Sequence, residues 1–418
     1  MPAMIVPAVV QQHADDAAIL ASGRLALVEA PHPRLDQLDR FDRRLAAHLD
    51  GLRLSGREGW ALCDAALENP SPGAVFATAV RALEDRDSTR LERIFALVEA
   101  VPESGAGLFA AFEWIEPARL QGTVANLLQH REPFSRTVGL AACAVHRVDP
   151  QVLAGPYLRD ANPTVRARAF QAVGELGLSD AMSRCLAALG DADPECQFRA
   201  AWSAVLLGDR NRALDLLTHR GRAPGVGRAR AFRLALQAMT PDAAHTALRQ
   251  LSGRAEGARW LLLGSGIAGD PAYVPWLVGQ MADAPFARLA GEAFSTISGV
   301  QLGQAALTRP APETLESGPT DNPDDPNIDM DPDDGLAWPD PERVQRWWQA
   351  NTSRFTPGQR YFMGAPVTRA SCIAVLKNGC QRQRILAAHY LCLLDPGTPL
   401  FNTSAPAWRQ QRLLAEMH

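Results

Sequence analysis

Along most of the chain, hydrophobic residues recur with the 3.6-residue period of a helix that buries one face. Val165, Ala169, Ala172, Val173 and Leu176 fall at i, i+4, i+7, i+8 and i+11, and Phe286, Leu289, Ala290, Ala293, Phe294 and Ile297 trace a similar stripe further on. Between these long stripes lie shorter ones. Met182, Cys185, Leu186 and Leu189 form one, and Val274, Leu277, Val278 and Met281 another, each at i, i+3, i+4 and i+7. The alternation predicts antiparallel helix pairs. Punctuation agrees with it: Asn162-Pro163, Asp193-Pro194 and Asp270-Pro271 each put a capping side chain before a proline suited to the first helical position, and Gly177, Gly190 and Gly208 are placed to end helices.

The pattern repeats. "RARAF" occurs at 166–170 and again at 228–232, and the pairs Ala169-Phe170, Ala231-Phe232 and Ala293-Phe294 are spaced by 62 residues, with Ala201-Trp202 close to midway between the first two. The underlying period is near 31. A unit of two helices cannot bury its own apolar face and stacks on copies of itself, so the expected fold is all-α, an α-solenoid. In this reading Ala and Phe face the core, and the arginines of the second helices line one surface. Arg166, Arg168, Arg199, Arg228, Arg230 and Arg288 are therefore the candidate partner-binding residues. Guanidinium groups present planar forks suited to carboxylates, which makes an acidic protein surface the natural ligand.

"YLRDANPTVRARAFQAVGELG" and "GIAGDPAYVPWLVGQMADAPFARLAGEAFSTISG" resemble HEAT or HEAT-like repeats of the PBS-lyase type, over about residues 70 to 305 and again near 364 to 395. The resemblance implies an Asp paired with a following Arg in each unit, for which Asp160 and Arg166 are the matching residues. The expected organisation is an N-terminal helical cap region (1–69), the repeat array (70–305), an acidic loop or linker (306–340), and a C-terminal helical region with one more helix pair (341–418).

Charge singles out the loop. Residues 310–342 hold eleven Asp and Glu and no Lys or Arg, so the rest of the chain carries about +7 against a total of −4. Its prolines break helices and its charges repel one another. Asp329, Asp331, Asp333 and Asp340 stand at relative positions 1, 3, 5 and 12, as in a calcium loop, but the glycine the sharp turn needs falls one residue late, at Gly335. No metal site is expected. Beside the loop, Trp338 and Trp347 are candidate aromatic anchors for a partner. The alternative for Trp347 and Trp348 is packing of a helix that starts at Pro341, since adjacent helical residues point about 100° apart and one of the two turns inward.

The basic excess of the main body is too thin and too spread for a nucleic-acid footprint. Seven cysteines, an odd number with no Cys-x-x-Cys pair, suit small core residues in a reducing compartment. The N-terminus lacks a basic stretch and meets Asp15 and Asp16 early, and no apolar run reaches the eighteen or so residues that cross a bilayer. A cytoplasmic protein without membrane insertion is expected.

Signals for chemistry are weak. "GSGIAG" at 264–269 satisfies G-x-G-x-x-G, but Asp270-Pro271 puts the next helix start after the glycines, whereas a dinucleotide site needs a strand before them and a helix opening at them. None of the nine histidines is followed by Glu, which excludes the His-Glu pairs of HEAT-like di-iron hydroxylases. His389 sits in the apolar run "ILAAHYLCLL" and reads as a core residue, and Cys143 with His146 reads as a helical neighbour pair. No catalytic residue, cofactor or small-molecule substrate is expected.

A narrower resemblance spans the ends. "APHPRLDQLDRFDRRLAAHLDGLRLSGREGWALC" (30–63), "WPDPERVQRWW" (338–348) and "FTPGQRYFMGAPVT" (355–368) are similar to an uncharacterised bacterial HEAT-repeat family encoded beside type VI secretion spike and effector genes. That resemblance implies a non-enzymatic scaffold, an effector chaperone or adaptor whose partner is a secreted effector or toxin. Two alternatives stay open: an immunity protein that binds a cognate toxin, and a HEAT-like enzyme of the tetrapyrrole lyase or DNA glycosylase type.

Overall fold

A computed structural model describes residues 6–149, 155–252, 257–312 and 331–417. The described residues are mostly helical. In chain order the helices are α1 (Pro7–Leu27), α2 (Leu35–Leu54), α3 (Gly56–Ala66), α4 (Pro72–Asp85), α5 (Ser88–Ala100), α6 (Gly105–Trp114), α7 (Pro117–Leu128), α8 (Pro133–Val145), α9 (Pro163–Leu176), α10 (Met182–Ala187), α11 (Pro194–Leu206), α12 (Arg212–Arg222), α13 (Arg228–Ala238), α14 (Pro241–Arg249), α15 (Gly257–Ala268), α16 (Val274–Gln280), α17 (Ala284–Ser298), α18 (Pro341–Asn351), α19 (Arg369–Asn378), α20 (Gln381–Leu394) and α21 (Ala407–Glu416). The sheet among the described residues is one antiparallel hairpin, β1 (Tyr361–Phe362) and β2 (Ala365–Pro366), with Tyr361 opposite Pro366. Helix packs on helix in the manner of a solenoid, as the periodicity predicts.

The chain forms two compact units, residues 1–203 with 397–418 and residues 204–396. The division falls inside α11, and the last helix belongs to the first unit.

In the first unit the pairs α1 and α2, α4 and α6, and α8 and α9 pack closely. Its core is built from Leu45, Val75, Phe76, Ile94, Leu108, Phe112, Leu120 and Val138. Here the expected helix starts are realised. The Asn162 side chain accepts from the amides of Thr164 and Val165, the Asp193 side chain accepts from those of Glu195 and Cys196, and Gly177 ends α9 at φ 70°. The chain's end is held by buried charge. Arg24 Nε donates to Asp42 at 2.6 Å and its Nη2 to the Ser404 carbonyl at 3.0 Å, while the amide of Ala407 donates to Asp42 at 2.7 Å. Arg409 Nη1 donates to the Glu113 carbonyl at 2.6 Å, and the Trp408 ring meets Trp114 edge-on.

In the second unit α12 packs on α13, α15 and α16 on α17, and α19 on α20. Phe294, Leu289, Leu277 and Val344 are fully buried, and Trp347 and Trp348 both lie against Phe294, Trp347 edge-on at 5.7 Å between centroids. The segment between α18 and α19 clamps helix ends. Arg360 donates to the carbonyls of Leu236, Gln237 and Met239 at the end of α13 and to Ala268 at the end of α15, at 2.5 to 3.1 Å.

The three Ala-Phe pairs all lie buried on second helices of pairs. Their spacing overstates the regularity, however. Phe232, Phe170 and Phe294 are the fifth, eighth and eleventh residues of α13, α9 and α17, so they share a role at heights about one turn apart. The better frame is the helix start: α8, α9 and α11 begin at Pro133, Pro163 and Pro194.

The first five residues of the "GSGIAG" stretch are the end of α15, so helix rather than strand leads into it. Its glycines serve packing, since a Cβ on Gly266 would come within 2.9 Å of Ala293 Cα and one on Gly264 within 2.9 Å of the Phe232 ring. No single helix among the described residues is long and apolar enough to cross a membrane. The bent pair Ser88–Ala100 and Pro102–Trp114, which turns by 120°, passes only when its halves are joined, and it buries Ile94, Phe95, Leu108 and Phe112 in the first unit's core.

Candidate binding surface

The fourth residue of α8, α9 and α11 is Arg136, Arg166 and Gln197 in turn. Arg136 grips Asp160 with both forks, at 3.0 and 3.1 Å, and Arg166 grips Asp191 in the same way, at 3.1 and 2.9 Å. Each aspartate also accepts from the amide two residues on, Asn162 and Asp193, so its geometry is fixed from both sides. The expected pairing of Asp160 with Arg166 is thus corrected by one repeat. Arg166 touches Asp160 only through the backbone carbonyl, at 2.9 Å, because a helix's fourth residue points toward the following unit. Gln197, reaching the Asp191 carbonyl at 2.6 Å, ends the ladder with a neutral group.

The remaining first-unit candidates are also engaged. Arg168 pairs with Glu175 at 2.6 Å, and Arg199 with Glu195 at 2.6 Å and with Gln171 at 2.7 Å. Arg166, Arg168 and Arg199 are all largely covered. Arg166 reaches the segment before α11 and Arg199 reaches back to Gln171 of α9, whereas Arg168 pairs within α9, and each of the three meets a carboxylate of the same unit.

The second unit differs. Arg228 lies over the Trp260 ring at 4.1 Å, while Arg230, one position beyond the intervening Ala229, is exposed. Arg288 occupies the position three residues after Pro285, equivalent to Arg166 after Pro163, and its carboxylate is Asp331 of the acidic stretch. Beside it Arg259 grips Asp333 with both Nη atoms at 2.6 Å, and Asp333 is only 2% exposed. Trp338 stacks on Arg288 at 4.8 Å. The base of the acidic stretch is zipped by Arg309 N to the Trp338 carbonyl and Asp340 N to the Leu307 carbonyl, at 3.0 and 2.8 Å. Of the calcium-loop residues, Asp331 and Asp333 face arginines, Asp340 caps α18, and Asp329 lies outside the described residues. No group of three or more ligating side chains that could hold a metal occurs among the described residues.

Between α13, α15, α17 and α20 lies a cavity of about 140 Å³ walled by Phe232, Trp260, Leu263, Leu289 and Leu386. Ala229 and Arg233 stand on the α13 side, and Glu292 and Arg382 contribute the polar wall. Arg382 donates to Glu292 Oε2, whereas Glu292 Oε1 has no hydrogen-bond partner among the described residues. Burial pushes the Glu292 carboxyl above its ordinary range, against the pull of Arg382. Sequence reasoning missed Arg136, Arg259, Glu292 and Arg382. The Pro133-to-Arg136 spacing, one repeat before Pro163 to Arg166, was a usable signal for the first. The others are brought together by long-range packing alone.

His389 is a core residue. Its Nδ1 lies 2.9 Å from Gln237 Oε1, and burial lowers its pKa to about 3. Cys143 is pushed up to about 11 and His146 down to about 4, both by burial first, so near neutrality the two are thiol and neutral imidazole rather than the thiolate and imidazolium of an activated cysteine.

Residues 154–237 match the family described as HEAT repeats. No curated protein and no solved structure gives a significant match. The match covers α9 to α13, the stretch that carries the Arg166 to Asp191 pair, and supports HEAT-like repeats over that stretch.

Proposed function

We propose that the protein is a non-enzymatic scaffold that binds a protein partner on the α13 and α15 face of its second unit. HEAT repeats are commonly protein-interaction modules, which supports a protein as the ligand. One observation carries the choice of surface. The first unit's candidate arginines are engaged in internal pairs, whereas in the second unit Arg230 is exposed next to Ala229, which with Trp260 lines an open cavity. Arg and Trp beside a pocket are the residues that dominate protein interfaces. The clasp of Asp331 and Asp333 by Arg288 and Arg259 supports carboxylates as a ligand type for this unit, with part of the basic surface already taken by the chain's own acids.

The resemblance of residues 30–63 and 355–368 to proteins encoded beside type VI secretion genes supports the finer reading. In it the partner is a secreted effector, and the scaffold delivers it as a chaperone or adaptor. Capture from the native host with the wild-type chain and with Arg230→Glu, read by mass spectrometry, tests both levels. The reading expects one effector recovered with the wild type and at least tenfold less with the variant. Recovery that ignores the charge reversal refutes the surface, and a recovered toxin whose activity the chain blocks would instead make it an immunity protein.

A further inference from the structure

The cavity beside Arg230 has a size and a chemistry that together describe an occupant. A cavity of about 150 Å³ holds a benzene ring, and this one measures about 140 Å³. Its walls are aliphatic and aromatic, so a flat apolar ring fits them. One group there does not fit a purely apolar guest. Glu292 is 9% exposed, with Oε2 held by Arg382 and Oε1 enclosed and without a donor. A buried carboxylate oxygen with no partner is costly and calls for a donor. The terminal torsion of a glutamate is broad, so a small rotation brings Oε1 to the cavity wall.

Charge narrows the guest further. Glu292 is already held by Arg382, so a cationic guest would have to compete with that guanidinium for the carboxylate. An anionic guest would meet Glu292. A neutral ring bearing one donor satisfies every wall. We propose that this cavity receives the phenol ring of a tyrosine side chain from the protein partner, its O–H donating to Glu292 and its ring lying among Phe232, Trp260 and Leu289. The inference rests on the scaffold reading and adds the anchor residue to it. Arg230, exposed and next in sequence to Ala229 of the cavity wall, then meets the polypeptide that carries the tyrosine, and a carboxylate beside that tyrosine would complement it.

The probe is p-cresol, the tyrosine side chain as a free molecule, with toluene as the same ring without the donor. Each is titrated into the full chain while the indole N–H resonance of Trp260, assigned with Trp260→Phe, is followed by NMR. p-Cresol should shift that resonance saturably, and toluene should bind at least tenfold more weakly, the worth of one hydrogen bond to a charged acceptor. Ala229→Trp, at an exposed helix position beside the cavity, should abolish p-cresol binding without changing the melting temperature. No saturable shift, or equal affinities for the two probes, overturns the proposal. Partner capture separates the two levels. Capture that survives Ala229→Trp overturns the tyrosine anchor and leaves the scaffold standing, whereas no capture by the wild type overturns both.

Discussion

Removing Arg166 should destabilise the first unit through a pair that lies between two repeats. Arg166 and Asp191 share two hydrogen bonds at 2.9 and 3.1 Å, with side chains 17% and 15% exposed, and the same guanidinium serves the carbonyls of Asp160 and Ala161. Exposed ion pairs are worth about 0.2–1 kcal/mol, and breaking a fully buried pair costs about 3–5 kcal/mol. The intermediate exposure places Arg166→Met at about 1–3 kcal/mol. At roughly 2–4 °C per kcal/mol for a unit of this size, the first unit's melting transition should fall by about 2 to 12 °C. The hydrogen bond from Arg166 holds the Asp191 carboxyl below the ordinary carboxylate range. The pair's contribution is therefore complete above the unfolded carboxyl pKa of about 3.9 and is lost as pH falls through the lower folded value. The penalty for Arg166→Met should be full at pH 7 and shrink below about pH 4. Because two units make global two-state analysis unsafe, the assay is native-state hydrogen exchange of peptides from α9 and α11 in a double-mutant cycle with Asp191→Asn. A coupling below about 0.3 kcal/mol, or exchange in α9 and α11 that does not change, would refute the ladder as a stabilising element.

Other consequences follow from the same contacts. Arg360→Met removes a charged donor from four helix-end carbonyls and should destabilise the second unit by about 3 kcal/mol or more, while Arg360→Lys should recover only part of this, since one ammonium cannot span two helix ends; differential scanning calorimetry of the three proteins decides. His389, with its pKa lowered to about 3, stays neutral in the fold while an unfolded histidine protonates near 6.5. Its sign is therefore destabilising on acidification, by about 1.4 kcal/mol per pH unit between about pH 6 and 4, and His389→Gln should flatten that slope in urea titrations of the second unit. Gly266→Val should prevent the second unit from folding, because its Cβ would come within 2.9 Å of Ala293 Cα, and soluble yield with circular dichroism reads the loss.

The helix pairs were legible because local periodicity and caps carry them: Asn162, Asp193 and Asp270 all cap where their prolines announce a start. The role of the arginines was not. A stripe of Arg on second helices reads as a basic surface, but whether a guanidinium is free depends on what the next repeat offers it, and Asp191 lies 25 residues beyond Arg166. The acidic stretch misled in the same way. Its composition predicts a solvated loop, yet Asp333 is buried against an arginine 74 positions earlier. Glu292 and Arg382 stand 90 positions apart on different helices, and nothing local marks either as part of one wall. The division at residue 204 is equally silent, since no change in composition accompanies it.

Hydrogen exchange of the whole chain with and without its captured partner tests the central claim most directly. The account predicts added protection in peptides from the start of α13 and from α15, around Arg230 and Trp260, with α9 and α11 unchanged. Protection confined to the first unit, where the arginines are already paired, would contradict it.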